Sequence, residues 1–417
     1  MPNSDTDHLH ILSINSGSSS LKCGLFRMSD NPTSVYMAKA SGIGSDDSRL
    51  TIDDKAGKRI VDKAADIADH SAALDSILSW LNKTRPDMSV DVIGHRLVHG
   101  GSEYIRPLVI TPEVEAHLHK LVPLAPDHLP RELDALDTLR RIFPETPQVA
   151  CFDTAFHRNM PRVAQIYALP RNMFEHGIMR YGFHGLSYEY ILRKLEGLDG
   201  PETAKEKVII AHLGSGASMV AVKDGEGVDT TMGFTPAGGL VMSTRTGDLD
   251  PGIFPHLLMH KKWPASAINE MINQKSGLLG VSGISASMKD LIEKQDSEPN
   301  AKEAIELFCY QARKFLGALT AVLGGLNTLI FTGGIGEKSP EIRQHVCRTM
   351  AYAGIELDNN ANTQNADIIS TNESRVTVRV METNEEYMVA LHAGNLVRRK
   401  TGVSYGQDKY ENKETGR

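Results

Sequence analysis

Two stretches, one in each half of the chain, carry the same design. Val208 to Lys223, VIIAHLGSGASMVAVK, reads as an apolar strand, a turn of Gly and Ser, and a second apolar strand. Ile11 to Phe26, ILSINSGSSSLKCGLF, repeats it when Gly17 is set against Gly214. A turn so rich in Gly and Ser exposes backbone N–H groups that can converge on an anion such as a phosphate. An ordinary hairpin would account for either copy alone. Two copies point to a duplicated domain, with a nucleotide held between the halves. At 417 residues the chain exceeds what one core usually organises, so two domains are expected.

Composition narrows the class. The net charge of −7 and the lack of a long basic run argue against nucleic-acid binding. Cys23, Cys151, Cys309 and Cys347 lie far apart and form no CxxC pair, which suits reduced thiols in a cytoplasmic protein. The opening MPNSDTDHLH is polar and acidic, unlike a signal peptide. The most apolar stretch, Phe315 to Phe331, is broken by Gly317, Gly324, Gly325 and Asn327, so a buried helix and a strand are expected there and not a membrane span. No zinc site is expected from the spacing of the histidines.

In chain order, Leu50, Ile52, Ile60 and Val61 flank a turn and predict a second hairpin. Leu74, Ile77, Leu78 and Leu81 make a helical stripe ending before Pro86. Val90, Val92 and Ile93 predict a strand that empties into GHRLVHGG. Thr111 and Pro112 open a helix, PLAPDHLP is a loop, and Leu133, Leu136 and Leu139 mark another helix. The strand from Val149 to Phe152 ends at Asp153. The first Gly-Ser turn, Arg96 and Asp153 are thus expected just past strand ends, where open α/β sheets place ligands. In the second half, RYGFHG precedes a helix from Ser187. MGFTPAGGLVMSTRTGDLDPG reads as an ordered functional loop. Helices are expected around Ile253 to His260, Ala265 to Gln274 and Ala301 to Leu323. The strand Thr328 to Phe331 enters TGGIGEKSPEIR, with a helix opening at Ser339-Pro340. Val376, Val378 and Val380 alternate as a late strand, and a last helix begins at Asn384.

The segments INSGSSSLK, GHRLVHGG, FDTAFH, RYGFHG, HLGSGASM, MGFTP, STRTGDLDP, FTGGIGEKS and TNEEYMVA occur in one order along nearly the whole chain. Together they resemble the acetate kinase family. The resemblance implies an α/β fold of two duplicated ribonuclease-H-like, actin-like domains closing on a nucleotide cleft. The expected division is 1–155, completed by a C-terminal helix at about 385–417, and 156–384. It also implies a homodimer, Mg²⁺ or Mn²⁺, and phosphoryl transfer from ATP to acetate.

The resemblance assigns roles by position. Arg96 binds the acyl carboxylate and the transferring group, and Arg245 stabilises the transition state. Both suit a loose phosphoryl transition state whose charge needs a planar donor fork. His184 and His128 are further donors, and Asp153 is the catalytic aspartate. The acceptor carboxylate is already ionised near neutral pH, so Asp153 is expected to orient a metal-bound water or an arginine and not to act as a base. Val98, Phe183 and Pro236 form an apolar acyl pocket. Ser18, Ser20 and Lys22 serve the first phosphate turn, and His212, Leu213, Gly214, Ser215 and Gly216 the second. Ser287, Met288 and Lys289 lie against ribose and purine, with Gly334, Ile335, Gly336, Glu337 and Lys338 completing the nucleotide site. Asn15 and Glu385 hold the metal. His95 and His99 also lie in these motifs, with roles either structural or unassigned.

The chain departs from the usual family pattern at Ser215, Ser287, Lys289 and Lys338, and in the acyl loop at Asp127 and Leu129. These departures bear on donor choice and acyl size, not on phosphoryl transfer. Ser287 and Lys289 are expected to weaken discrimination of the base, and Asp127 to disfavour chains longer than propionate. A propionate- or butyrate-type kinase is the nearest alternative. A non-catalytic actin-like ATP clamp is the remoter one, because it needs no acceptor-side arginines.

Overall fold

The computed structural model describes residues 8–17 and 19–400. Those within 1–98, 106–152 and 385–417 form one compact unit, and His99–Ile105 with Asp153–Asn384 form a second.

The first unit is built on an eight-stranded sheet. Its strands are β1 (Leu9–Ser16), β2 (Ser20–Met28), β3 (Pro32–Ser41), β4 (Arg49–Asp54), β5 (Arg59–Ala64), β6 (Val92–Leu97), β7 (Leu108–Val109) and β8 (Gln148–Phe152). They lie in the order β5-β4-β3-β2-β1-β6-β8-β7. β1 and β2 run antiparallel, and β6 and β8 continue the sheet in parallel from β1. β8 is buried along its whole length, which explains the apolar run from Val149 to Phe152. Asp69 starts the helix His70–Thr84 by accepting from the Ala72 backbone N–H at 2.8 Å. That helix turns Leu74, Ile77 and Leu78 into the core under β1, β2 and β4.

The second unit has β9 (Val208–Leu213), β10 (Ala217–Lys223), β11 (Glu226–Thr230), β12 (Thr328–Thr332) and β13 (Thr377–Val380). Their order is β11-β10-β9-β12-β13. This repeats β3-β2-β1-β6-β8 strand for strand: an antiparallel meander, then two parallel strands. The duplicated α/β plan expected from the paired hairpins is therefore present. β1 ends one residue before Gly17 and β9 one residue before Gly214, so the two Gly-Ser turns occupy the same place in the plan.

Several elements differ from expectation. β3 and β11 were not expected, because PTSVYMAKAS mixes polar and apolar residues without strict alternation and EGVDT is short and acidic. β6 begins at Val92 and runs on through Leu97, so Arg96 sits inside a strand and not past its end. The pairing of β6 with β8, from Ile93 opposite Gln148 to Leu97 opposite Phe152, carries the strand into the motif. The helix expected from Ser187 starts at Gly185. GGIGEK is not an open turn but a short helix, Gly333–Lys338, ahead of the helix Pro340–Cys347. Residues 256–260 wind as a wide π-type turn, with the Lys261 N–H donating to the His256 carbonyl.

The last helix, Glu385–Lys400, lies on the first sheet. Two glycines permit this. A Cβ on Gly94 would stand 2.6 Å from the Val389 side chain, and one on Gly394 would stand 2.3 Å from Met28 Sδ. The helix N-terminus is thereby brought to the ends of β1 and β6. No helix among the described residues is long and apolar enough to cross a membrane, and none of the four cysteines forms a disulfide.

Three histidines are buried in neutral form. His95, His99 and His157 are at most 1 % exposed, and burial pushes each imidazole down to about 4. A folded pKa below the unfolded value of about 6.5 means that the unfolded chain binds more protons between those two values. Stability is therefore present above about pH 6.5 and lost as pH falls towards 4. Thermal melts across that window should show a falling Tm, with the slope reduced in His157→Asn. A Tm independent of pH from 6.5 to 4 would refute the assignment.

Candidate active site

In the first unit, Asn15 is the next-to-last residue of β1 and Arg96 the next-to-last of β6. The Asn15 Nδ2 donates to Glu385 Oε2 at 3.0 Å and to Glu386 Oε1 at 2.9 Å. Its Oδ1 accepts from an Arg96 terminal nitrogen at 3.3 Å. Arg96 Nε lies 3.4 Å from Glu385 and its NH1 3.8 Å from Glu132. Lys22, opposite Asn15 on β2, is 3.4 Å from Glu386. The charge of Glu386 holds the Lys22 ammonium above its usual pKa, with Glu385 adding to it against the cost of burial.

Glu132 is the residue that the sequence reading missed. It is 1 % exposed and its Oε2 accepts from the Val98 N–H at 2.9 Å. The signal was available: Leu129, Glu132, Leu133 and Leu136 share the buried stripe of the helix Leu129–Ile142, and an acid on such a stripe demands partners. His128 is the N-cap residue of that helix, Asp127 beside it is half-buried, and Leu129 is fully buried. Ser20 begins β2, and its carbonyl accepts from the Gly17 N–H at 2.8 Å. His70 Nε2 lies 2.7 Å from the Gly17 carbonyl and supports the same turn. Ser18 lies outside the described residues.

In the second unit, Asp153 follows β8 directly and is wholly buried. Its carbonyl accepts from the Gly185 N–H at 3.0 Å, so close that a Cβ on Gly185 would lie 2.2 Å from that oxygen. The preceding residue, His184, takes φ 61°, a left-handed conformation that is costly for a residue with a side chain. The strain aims the ring. His184 Nδ1 lies 2.8 Å from Ser218 Oγ, which in turn meets the Tyr188 hydroxyl. The ring stacks on His212, with centroids 4.2 Å apart and planes 17° from parallel. His212 Nδ1 meets Ser187 Oγ at 2.9 Å, and Ser187 meets Thr383 at 2.8 Å. Two separate hydroxyl pairs, Ser218 with Tyr188 and Ser187 with Thr383, thus hold one ring each.

Gly216 faces this pair. A Cβ there would lie 3.3 Å from His184 Nε2 and 3.5 Å from an Arg245 terminal nitrogen. His184, Gly216 and Arg245 therefore surround one small space. Arg245 is steadied by the Pro236 carbonyl at 3.3 Å and by Met242 Sδ at 3.6 Å. The Ser243 N–H donates to the Ser215 carbonyl at 3.1 Å, which ties the arginine loop to the second Gly-Ser turn. Gly214 donates across that turn to the Gly216 carbonyl at 3.0 Å, and Leu213 closes β9.

The short helix after β12 is also packed closely. Gly333 has φ 75°, and a Cβ there would lie 2.8 Å from the Leu213 carbonyl, so Gly333 is the glycine that this approach requires. Gly334 has open space around it and Gly336 only ordinary contacts. Glu337 Oε1 accepts from Thr332 Oγ1, the Gly333 N–H and the Thr383 N–H at 3.2, 2.9 and 3.2 Å, so its carboxylate braces the turn. Ile335 is half-buried and Lys338 exposed.

The remaining expected residues are more dispersed. Ser287 is the N-cap of the helix Met288–Lys294 and exchanges hydrogen bonds with Asp290. Met288 is buried, while the Lys289 side chain is 85 % exposed and 3.9 Å from Glu293. Phe183 is buried edge-on to His99, Val98 is buried in the first unit, and Pro236 is half-buried. The expectation drawn from histidine spacing needs correction. His117 and His119 are two residues apart, and His256 and His260 stand at i,i+4 with ring centroids 5.5 Å apart. Glu115, His119 and Asp137 also bring three possible ligand atoms within 4.8 Å of one another.

A model of the Acetokinase family matches residues 10–391. An acetate kinase of Methylocella silvestris is 43 % identical over 393 residues, covering 92 % of this chain and 96 % of the relative. One from Symbiobacterium thermophilum is 39 % identical over 401 residues, covering 94 % of this chain and all of the relative. Among solved structures, a propionate kinase from Francisella tularensis superposes with a TM-score of 0.85 at 33 % identity, covering 93 % of this chain and 99 % of the other. The acetate kinase of Porphyromonas gingivalis gives a TM-score of 0.81 at 37 % identity, covering 93 % and 100 %. The duplicated α/β plan, with a Gly-Ser turn in each unit, is that of a phosphotransferase. The chain belongs to the acetokinase family.

Proposed function

We infer that the chain transfers the γ-phosphoryl of ATP to the carboxylate of acetate, giving acetyl phosphate and ADP reversibly. The observation that carries this reading is a family match from residue 10 to residue 391, in which Arg96, Asp153, His184 and Arg245 all fall within matched motifs. The acceptor is itself the nucleophile, so the protein's task is positioning and charge stabilisation. Arg96, gripped by carboxylates, presents a fixed fork suited to the acyl carboxylate. Arg245 and His184, converging on the space left by Gly216, suit the equatorial oxygens of the moving phosphoryl group. The backbone N–H groups of the Gly-Ser turns suit the remaining phosphates. Asp153 orients its neighbours and is not needed as a base.

Mg²⁺ fits the first cluster by donor chemistry. Glu132, Glu385 and Glu386 set three carboxylates against the two cations Arg96 and Lys22, a surplus of hard oxygen ligands. Asn15 and Glu385 would hold the ion, which when bound neutralises charge on the transferring phosphates. Asn15 turns its nitrogen to the carboxylates and its oxygen to Arg96, so the Glu385 and Glu386 oxygens are the donors most directly offered. A cytoplasmic homodimer is proposed on the family resemblance.

Trapping acyl phosphate with hydroxylamine in the presence of Mg²⁺ and ATP tests the reading. Acetate should give hydroxamate, more readily than propionate or butyrate. No signal above a no-enzyme control with any of the three would sink it, and a preference for propionate would move the chain to that acceptor.

A further inference from the structure

β1 and β2 carry Asn15 and Lys22 at one end and His10 opposite Arg27 at the other. At that second end lies a cavity of about 510 Å³, within the size range of small-molecule sites. Its lining includes three permanent cations, Arg27, Lys55 and Arg85, together with His8 and His10. Hydroxyl side chains, Ser34 among them, complete the polar wall, and no carboxylate lines it. Among the described residues, none of the three permanent cations takes part in an ion pair. The carboxylate bonded nearby, Asp91, is engaged with the His10 backbone N–H at 2.7 Å and lies 3.9 Å from its Nδ1.

Solvated surface cations are common, and charge alone would mean little. Two features set this cavity apart. His8 Nδ1 and Ser34 Oγ are shielded from solvent and have no hydrogen-bond partner among the described residues. Buried polar atoms without partners are costly and call for an occupant. The chain as a whole also carries a net charge of −7 with its histidines neutral, whereas this concavity gathers three permanent cations. Surfaces usually intersperse charges of both signs. Convergent cationic donors around a cavity that no carboxylate lines match a ligand rich in acceptors.

We propose that this cavity binds a small polyvalent oxyanion, a phosphate- or pyrophosphate-bearing metabolite, at a site separate from the candidate active site. Arg27 and Arg85 offer planar donor forks for its oxygens, Lys55 a point charge, and Ser34 and His8 the inner hydrogen bonds.

Inorganic pyrophosphate is the probe, applied to the full chain at constant ionic strength. Lysine acylation read by mass spectrometry reports each site separately. Pyrophosphate should slow acylation of Lys55 several-fold in the wild type. Arg27→Ala/Arg85→Ala should raise the pyrophosphate concentration needed for that protection about a hundredfold, roughly tenfold for each charged donor lost. Its kcat for acyl phosphate formation should match the wild type. Lys55 reacting equally with and without pyrophosphate would overturn the proposal. So would protection confined to Lys22, which would place the anion at the candidate active site, or unchanged protection of Lys55 in the double variant.

Discussion

Arg245→Ala and Arg96→Ala are each expected to lower kcat by about a hundredfold or more, the scale of removing one preorganised charge donor. The two substitutions should differ in their side effects. Arg245 is steadied by a carbonyl and a thioether at 3.3 and 3.6 Å, so its removal should leave the fold intact. Arg96 stands 3.8 Å from Glu132, a carboxylate only 1 % exposed, and its loss deprives a buried charge of a counterion. Arg96→Ala should therefore also lower the unfolding midpoint. Arg96→Lys separates the two effects, since an ammonium restores the charge without the fork. Stability should return while kcat stays well below wild type. A variant at either arginine with near wild-type kcat would remove that residue from the reaction.

The second large effect is expected at Arg343. This side chain is wholly buried, and burial lowers its pKa to about 10. It donates to the carbonyls of Gly336 and Glu337 at 2.8 and 3.0 Å, to Asn362 Oδ1 and O at 2.8 Å each, and to Asn365 Oδ1 at 2.6 Å. One guanidinium thus fixes the end of the short Gly-rich helix to the segment around Asn362. Arg343→Met keeps the bulk but leaves five acceptors without their donor, three of them buried. Each such loss costs about 1–3 kcal/mol, and with relaxation the total should be on the order of 3–5 kcal/mol. Urea titration of the variant reads this as a lower midpoint at unchanged m-value. A loss below about 1 kcal/mol would mean that the network is dispensable.

Those three arginines show what could and could not be read from the chain alone. Arg96 and Arg245 lie in Gly- and Pro-rich motifs where a charged residue has few structural excuses. Arg343 sits in an ordinary helical stretch, PEIRQHVC, and its weight comes from carbonyls that only folding delivers. The hairpins were legible because apolar runs bracket a turn, and turns of that composition have few other uses. β3 and β11 were not, because a strand stabilised mainly by its neighbour needs no strict alternation. Arg96 was placed past a strand because GHRLVHGG looks like a loop, yet pairing with β8 extends β6 through it. Gly333 was passed over in favour of Gly334 and Gly336. Sequence marks all three alike, and only the approach of the Leu213 carbonyl distinguishes them.

The last helix carries a consequence for how the chain comes into being. Asn15 meets Glu385, 370 positions further along the chain, and Gly94 is filled by Val389 of that same helix. On the ribosome the first sheet is made early but cannot be capped until residues 385–400 have been synthesised. The second unit, nearly continuous in sequence, completes its last strand at Val380, only five residues before that helix begins. Vectorial synthesis thus leaves the earliest-made sheet waiting with one apolar face uncovered, the kind of surface chaperones retain. A chain ending before residue 385 would keep most of its sheet and lose the lid on it, so nascent-chain arrest or a late stop codon should yield aggregates and not a shortened enzyme.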